Sequence, residues 1–207
     1  MFTGKNLAFA EELLEAIWFF SKKGWSPATS TNYSVRSDKS DEIIISRSGV
    51  DKSQFKLSDL ILINSYGHVL PPFDRPGIKS SAETEIHTAI YQKFPEVNCV
   101  LHTHSAPGTI LSYLLNREGQ ITFEGLEILK GLEGNKTHDL NASLPIVPNS
   151  QDMADILAAM ENKFTSAHGF LIAGHGLYSW GNDIASAKRH IETFEFLFEC
   201  YMMMRRF

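Results

Sequence analysis

Three histidines carry the clearest chemistry in this sequence. His102 and His104 flank Thr103 in VLHTHS, where an apolar run ends. Two residues apart on a strand, side chains leave the same face, so both imidazoles can reach one ion. His175, in IAGHGLYSW, closes a second apolar run between Gly174 and Gly176, which permit close backbone approach or dihedrals closed to other residues. Three imidazoles with a vacant fourth position are the ligand set of a catalytic zinc, the vacancy being where water or a substrate oxygen binds. A His-x-His pair alone often has a structural cause. The third, glycine-flanked histidine is what raises the expectation of a divalent ion, Zn2+ at one per subunit. A cupin-like barrel fits poorly, because Ala106, Pro107, Gly108 and Thr109 stand where its ligand glutamate belongs. His68, His87, His138, His168 and His190 are read as surface or hydrogen-bonding groups, with His87 one helical turn beyond Glu83 and able to frame the site.

The elements that must position these residues follow from periodicity. Leu7, Ala10, Leu14, Ile17 and Trp18 recur at helical spacing, and Gly24 stops the run. Tyr33 with Val35, then Ile43 to Ile45, predict two short strands around the polar turn Ser37 to Asp41, and Leu60 to Asn64 a third. Glycines and prolines between Ser65 and Lys79 predict an irregular loop. Ser81 is read as the N-cap of a helix that starts near Ala82 and stops before Pro95. Beyond it come a strand over Val97 to Thr103 and short helices over Ala106 to Leu115 and Gly125 to Lys130. A helix from Ser150 to about Lys163, a strand over Gly169 to Ala173, and a long helix after Asn182 close the chain. This order predicts one α/β domain over residues 1–207, with helices covering a mixed or antiparallel sheet.

Bulk properties exclude several classes. A chain of 207 residues, 43% hydrophobic and 21% charged, can fold around its own core without disulfides. A net charge of -5 without a basic run predicts no nucleic acid and no anionic membrane as partner, so an anionic ligand must be met by a local pocket. Glu11, Glu12 and Glu15 interrupt the apolar opening, which reads as an amphipathic helix rather than a signal peptide, and no apolar stretch is long enough to span a bilayer. Cys99 and Cys200 are read as buried free thiols, which with the missing signal predicts a cytoplasmic protein. Phe194, Phe196, Phe198, Tyr201, Met202 to Met204 and Phe207 give the last helix more apolar surface than one stripe, and predict that part of it packs on a neighbouring subunit.

The segments SPATSTNYSVR, ISRSGVDKSQF, KSSAETEIHTAIY, VLHTHS, ITFEGLEILKGL and AGHGLYSWG span nearly the whole chain. In that order they resemble the class II aldolase and adducin-type head domain family. The resemblance implies a three-layer α/β/α fold with a mostly antiparallel central sheet, and zinc on His102, His104 and His175. It also implies a sugar-phosphate substrate and a homotetramer with sites near subunit boundaries. Phosphate would be held by the loop matching Ser30, Thr31 and Asn32, by Ser48 and Gly49, and by Ser80 and Ser81; Lys52 and Lys79 could add charge. Small and hydroxyl-bearing residues there can present donors to phosphate oxygens. Aldolase members of the family carry Gly-Asn-hydrophobic-Ser where this chain has Thr31-Asn32-Tyr33-Ser34.

The resemblance offers two acid/base glutamates. Glu127, in GLEILKG, matches the dehydratase branch and ranks first; Glu83, in SAETEIH, matches the sugar-phosphate aldolases; Glu124 stands behind both. The dehydratase branch implies conversion of 5-methylthio-D-ribulose 1-phosphate to 5-methylthio-2,3-dioxopentyl phosphate in methionine salvage. Its methylthio end would meet residues such as Trp25, Tyr113, Leu114, Leu115 or Tyr178. The alternatives are a zinc-dependent ketose-phosphate aldolase or epimerase, and a noncatalytic adducin-like interaction module, against which the retained histidines argue.

Overall fold

The amphipathic opening run folds as α1 (Gly4–Lys22), and Gly24 ends it with a φ of 75° that favours glycine. The structure is a computed structural model that describes residues 2–39, 41–161, 163 and 168–205. Eight strands follow: β1 (Tyr33–Arg36), β2 (Glu42–Ser46), β3 (Leu60–Asn64), β4 (Cys99–Thr103), β5 (Gln120–Phe123), β6 (Ala142–Val147), β7 (Gly169–Ile172) and β8 (Gly176–Gly181). They form one sheet in the order β3-β2-β1-β4-β8-β7-β6-β5. Among the described residues only the β6 to β7 pairing is parallel, so the expected mostly antiparallel sheet is present.

Both faces of the sheet are covered, which makes three layers. On one face α1, α3 (Ala106–Leu114) and α5 (Ile184–Met204) bury Leu13, Ile17, Leu111, Ile191 and Leu197 with Ile44 of β2. On the other, α2 (Thr84–Lys93) and α4 (Met153–Glu161) bury Ile86, Ile90, Ile156 and Met160 with Ile43 and Ile45. Because neighbouring isoleucines of β2 enter opposite cores, the strand reads as a continuous apolar run rather than an alternating one.

Several details depart from expectation, each for a local reason. β5 alternates exposed and buried residues over only four positions, β6 carries Pro145 in its interior, and β8 begins one residue after His175; none gave a strand signal. Ser81 does not cap α2. Its hydroxyl accepts from the Glu83 backbone N–H (3.2 Å) and its carbonyl from Thr84 (3.0 Å), so a turn precedes the helix and Glu83 becomes the residue at its start. The short helix expected over Gly125 to Lys130 is a 3₁₀ turn, Glu127–Gly131. The helix expected to reach Lys163 is described as far as Glu161, and residue 162 lies outside the described residues. Among the described residues, no helix is long and apolar enough to cross a membrane.

Topology brings the chemistry together. β4 lies near the centre of the sheet, antiparallel to β8, with His102 opposite Tyr178 and Thr103 opposite Leu177. The turn from β7 into β8 therefore delivers His175 beside the end of β4.

Candidate metal centre

The ligand-capable atoms of His102, His104 and His175 all lie within 4.8 Å of one another. His102 donates from Nδ1 to the Leu177 carbonyl (2.9 Å), which leaves Nε2 bare and aimed at His104 Nε2, 2.7 Å away. Two ring nitrogens at that separation need a proton or a cation between them. Burial pushes the His102 imidazole well below its ordinary pKa, and burial with the nearby His175 takes His104 down to about 4. Neutral imidazoles are the metal-binding form, and a second-nitrogen bond to a carbonyl is how a ligand histidine is usually oriented. The donor set fits a divalent ion.

The two glycines around His175 have different reasons. Gly174 has a φ of 64°, in the left-handed region. A Cβ on Gly176 would stand 2.2 Å from the Thr103 carbonyl and 2.8 Å from the His104 ring, so any side chain there would displace the strand that carries the other ligands.

Glu83 faces the histidines. Its Oε1 is 3.0 Å from His175 Nε2, and its Oε2 is 3.6 Å from His102 Nε2. Oε2 also accepts from Asn32 Nδ2 (2.5 Å) and from the Tyr178 hydroxyl (2.9 Å). Burial alone would raise this carboxyl; the facing His102 and His175 and the bonds from His175 and Asn32 outweigh it and hold the group well below the usual carboxylate range. The Tyr178 ring stacks on His102 with centroids 3.9 Å apart. Behind the ligand strand, Thr103 donates to the buried Glu195 of α5 (3.0 Å), whose pKa burial raises to about 7.

A cavity of about 250 Å³ opens beside Glu83 and His104. Of the residues expected to hold phosphate, Ser30, Thr31, Asn32, Ser48, Gly49 and Ser81 line it, and Ser80 does not. Thr31 stands where aldolase members have glycine, and its φ of 72° is one that a β-branched residue adopts only under strain. Its hydroxyl is buried without a hydrogen-bond partner among the described residues. The Asn32 amide, by contrast, is engaged by Glu83 and His87, so its side chain serves the glutamate.

Arg47, which also lines the cavity, escaped the sequence reading although it directly precedes Ser48 and Gly49. Its Nε and Nη2 hold Asp59 (2.9 and 2.7 Å). Lys52 is buried, donates to the Val50 carbonyl (3.0 Å), and is pushed down to about 8 by burial. Lys79 contributes its carbonyl, which accepts from the Ser48 N–H (3.0 Å).

Glu127 is placed elsewhere. It is exposed on the 3₁₀ turn, bonded to Lys130 and 3.4 Å from His138, and it does not line the cavity. Glu124 is exposed as well. Within one chain the fold thus joins Glu83, and not Glu127, to the histidines. Of the residues considered for the methylthio end, Tyr178 and Leu115 are buried, Tyr113 and Leu114 are exposed on α3, and Trp25 accepts from the His104 N–H through its carbonyl (2.8 Å).

The site thus combines three metal-capable imidazoles at the end of a central strand, a carboxylate set against them and a hydroxyl-lined cavity beside both. The family model for the class II aldolase and adducin N-terminal domain matches residues 11–202, and the chain belongs to that family. Within it, the chain is 48% identical over 198 residues to methylthioribulose-1-phosphate dehydratase of a Picosynechococcus species, covering 95% of this chain and 92% of that protein. It is 41% identical to the enzyme of the same name from Stenotrophomonas maltophilia, covering 95% and 91%. Among solved structures, L-fuculose 1-phosphate aldolase from Glaciozyma antarctica superposes with a TM-score of 0.75 at 22% identity, over 98% of this chain and 76% of that one. A sugar-phosphate aldolase from Thermotoga maritima gives 0.73 at 17% identity, over 98% and 97%. These structural likenesses speak for the fold.

Proposed function

We propose that the chain dehydrates 5-methylthio-D-ribulose 1-phosphate to 5-methylthio-2,3-dioxopentyl phosphate and water, the activity that its relatives' names describe. It would act in the cytoplasm as one catalytic domain, residues 1–207, in a homotetramer with one Zn2+ per subunit on His102, His104 and His175. The observation that carries this reading is one cavity in which Thr31, Ser48, Gly49 and Ser81 meet Glu83 and His104.

A divalent ion held by His102, His104 and His175 would supply electron withdrawal from a substrate carbonyl, which would acidify the neighbouring C–H. Thr31, Ser48, Gly49 and Ser81 bind the phosphate, with Arg47 adding charge at the cavity wall. Glu83, held by Asn32 and Tyr178, orients His102 and His175 and keeps a carboxylate against the reacting carbons. Glu127 takes the C3 proton on its carboxylate and returns a proton to the C4 hydroxyl as it leaves as water; the resulting enol takes up a proton at C4 and releases its C3 hydroxyl proton to give the diketone. Being exposed on its own chain, Glu127 serves the site of an adjacent subunit.

A second reading has its own observation, namely that the carboxylate in place is the one matching the aldolases. In that reading Glu83 moves the proton in a carbon-carbon cleavage. Incubation with methylthioribulose phosphate, with metal content measured on the same sample, separates the two. Expected are a stoichiometric divalent ion and a diketone without an aldehyde fragment; dihydroxyacetone phosphate with (methylthio)acetaldehyde as products overturns dehydration.

A further inference from the structure

One polar contact surface remains outside the reaction as described. Asn32 precedes β1, and with Ser34 and Arg36 it shares one face of that strand; Glu83, His87 and Tyr91 recur every four residues at the start and along α2. Two residues of strand advance about 6.6 Å and four residues of helix about 6 Å, so the two stripes stay matched for three rungs. The first rung joins Asn32 to Glu83 (2.5 Å) and to His87. In the second, Ser34 Oγ lies 2.7 Å from His87 Nδ1 and 2.8 Å from the Tyr91 hydroxyl. In the third, Arg36 donates to the Tyr91 carbonyl (2.7 Å) with its guanidinium over the ring. Ser34, His87 and Tyr91 are buried beside Ile86, Ile90 and Val100, where apolar side chains would avoid the desolvation cost that these groups carry.

The proton positions follow from the group at the end. A carboxylate only accepts, so the Asn32 NH2 must face Glu83 and its Oδ1 must face His87. His87 Nε2 then carries the proton. Burial keeps His87 neutral, at a pKa of about 3, which leaves Nδ1 bare to accept from Ser34, and Ser34 in turn accepts from Tyr91. Every donor in the chain points towards Glu83. The opposite direction satisfies His87, Ser34 and Tyr91 equally well but turns an amide oxygen onto the carboxylate.

We propose that Ser34, His87 and Tyr91 are positioning residues, whose directional hydrogen-bond chain presents the Asn32 amide donor to Glu83 and fixes that carboxylate against the metal ligands. This deepens the reading of the site given above and rests on it for its kinetic arm only. Hydrogen bonds in such a chain polarise one another, so a break two residues away weakens the contact at the end.

The kinetic test uses metal-loaded protein and methylthioribulose phosphate. Ser34→Ala is expected to lower kcat about tenfold, the effect of one lost buried hydrogen bond. KM should stay within about twofold, the pattern of an interaction made in the transition state. His87→Leu should fall further. His87→Gln, which keeps an N–H near the Nε2 position, should recover most of that loss. Metal content should stay stoichiometric throughout. Unchanged kcat in Ser34→Ala, a loss confined to KM, equal losses in the two His87 variants, or loss of metal in parallel with kcat overturns the proposal. If His87→Leu does not fold, Ser34→Ala, which removes a single oxygen, decides.

The second arm needs no turnover. Nitrogen-15 spectra of histidine-labelled wild type should show His87 neutral with its proton on Nε2, and that proton's shift should move in Tyr91→Phe. A proton on Nδ1, or a spectrum indifferent to Tyr91→Phe, overturns the chain. A wild type without turnover but with this signature counts against dehydration and supports the positioning chain.

Discussion

Glu83 stands at the start of α2 with its carboxylate enclosed by Asn32, Tyr178, His102 and His175, whereas Glu127 stands on an exposed 3₁₀ turn beside Lys130 and His138. Burial and convergent donors fix Glu83 in one geometry. The hydrogen bond from Lys130 lowers the Glu127 carboxyl as well, but in water, where such a pair is weak. The contrast teaches that one fold can enclose a glutamate with the histidines and the cavity while leaving a second carboxylate in water. In the proposed function that second carboxylate is supplied to the site of an adjacent subunit. The exposed Ile110, Tyr113 and Leu114 of α3 fit this view, since Tyr113 lies against Gly174, next to His175.

The largest effect should come from Glu127→Gln. Loss of a general acid/base lowers turnover by about 10³-fold, and metal content should be unchanged. Mixing this variant with His175→Ala and allowing subunits to exchange should restore part of the activity, because some sites then pair an intact triad with an intact Glu127. No recovery in verified mixed oligomers would place Glu127 in its own chain's site or outside the reaction.

Glu83→Gln comes next, with turnover down about 10²-fold if the carboxylate is needed but not the main proton carrier. A larger loss than Glu127→Gln would reverse the ranking and favour the aldolase-type assignment. Its pH signature is separate. A depressed carboxyl pKa stabilises the fold above the unfolded value and loses that contribution as pH falls through the acid range. Chemical denaturation of metal-free protein should therefore show wild type exceeding Glu83→Gln near neutrality, with the gap closing on acidification.

Glu195 provides the opposite sign. Its folded pKa of about 7 lies above the usual 4.5, so the folded state holds a proton that the unfolded state releases, and stability falls as pH rises between those values. Glu195→Gln should gain about 1 to 3 kcal/mol over wild type at pH 8, and nothing below about pH 4. Equal stabilities at both pH values would mean that the carboxylate is compensated by Thr103 and its surroundings. The smallest effect belongs to Lys130→Ala, which removes an exposed pair and should leave the melting temperature unchanged. A clear drop would show that Glu127 is held more firmly than its exposure suggests.

Much of this molecule was legible beforehand, for reasons that differ by residue. His102 and His104 could be paired because strand geometry is local, and Gly174 and Gly176 marked His175 through constraints that belong to the backbone. The helices α1 and α5 showed their periods over long stretches. β5, β6 and β8 did not, being short, interrupted by Pro145 or bounded by glycines, and they become strands because neighbours in the sheet claim their hydrogen bonds. The phosphate-type residues came from family resemblance, and the cavity joins all of them but Ser80.

By itself the sequence determined the candidate metal ligands and the α/β class, since these rest on strand spacing, flanking glycines and periods of two and four residues, whereas the residues that could meet an anion came through the family resemblance. Tertiary structure alone decided which carboxylate faces the histidines. Glu83 and Glu127 are equally acidic in sequence. Only the packing of α2 on β1, with Asn32, His87 and Tyr178 converging from separate elements, encloses one of them and leaves the other in water.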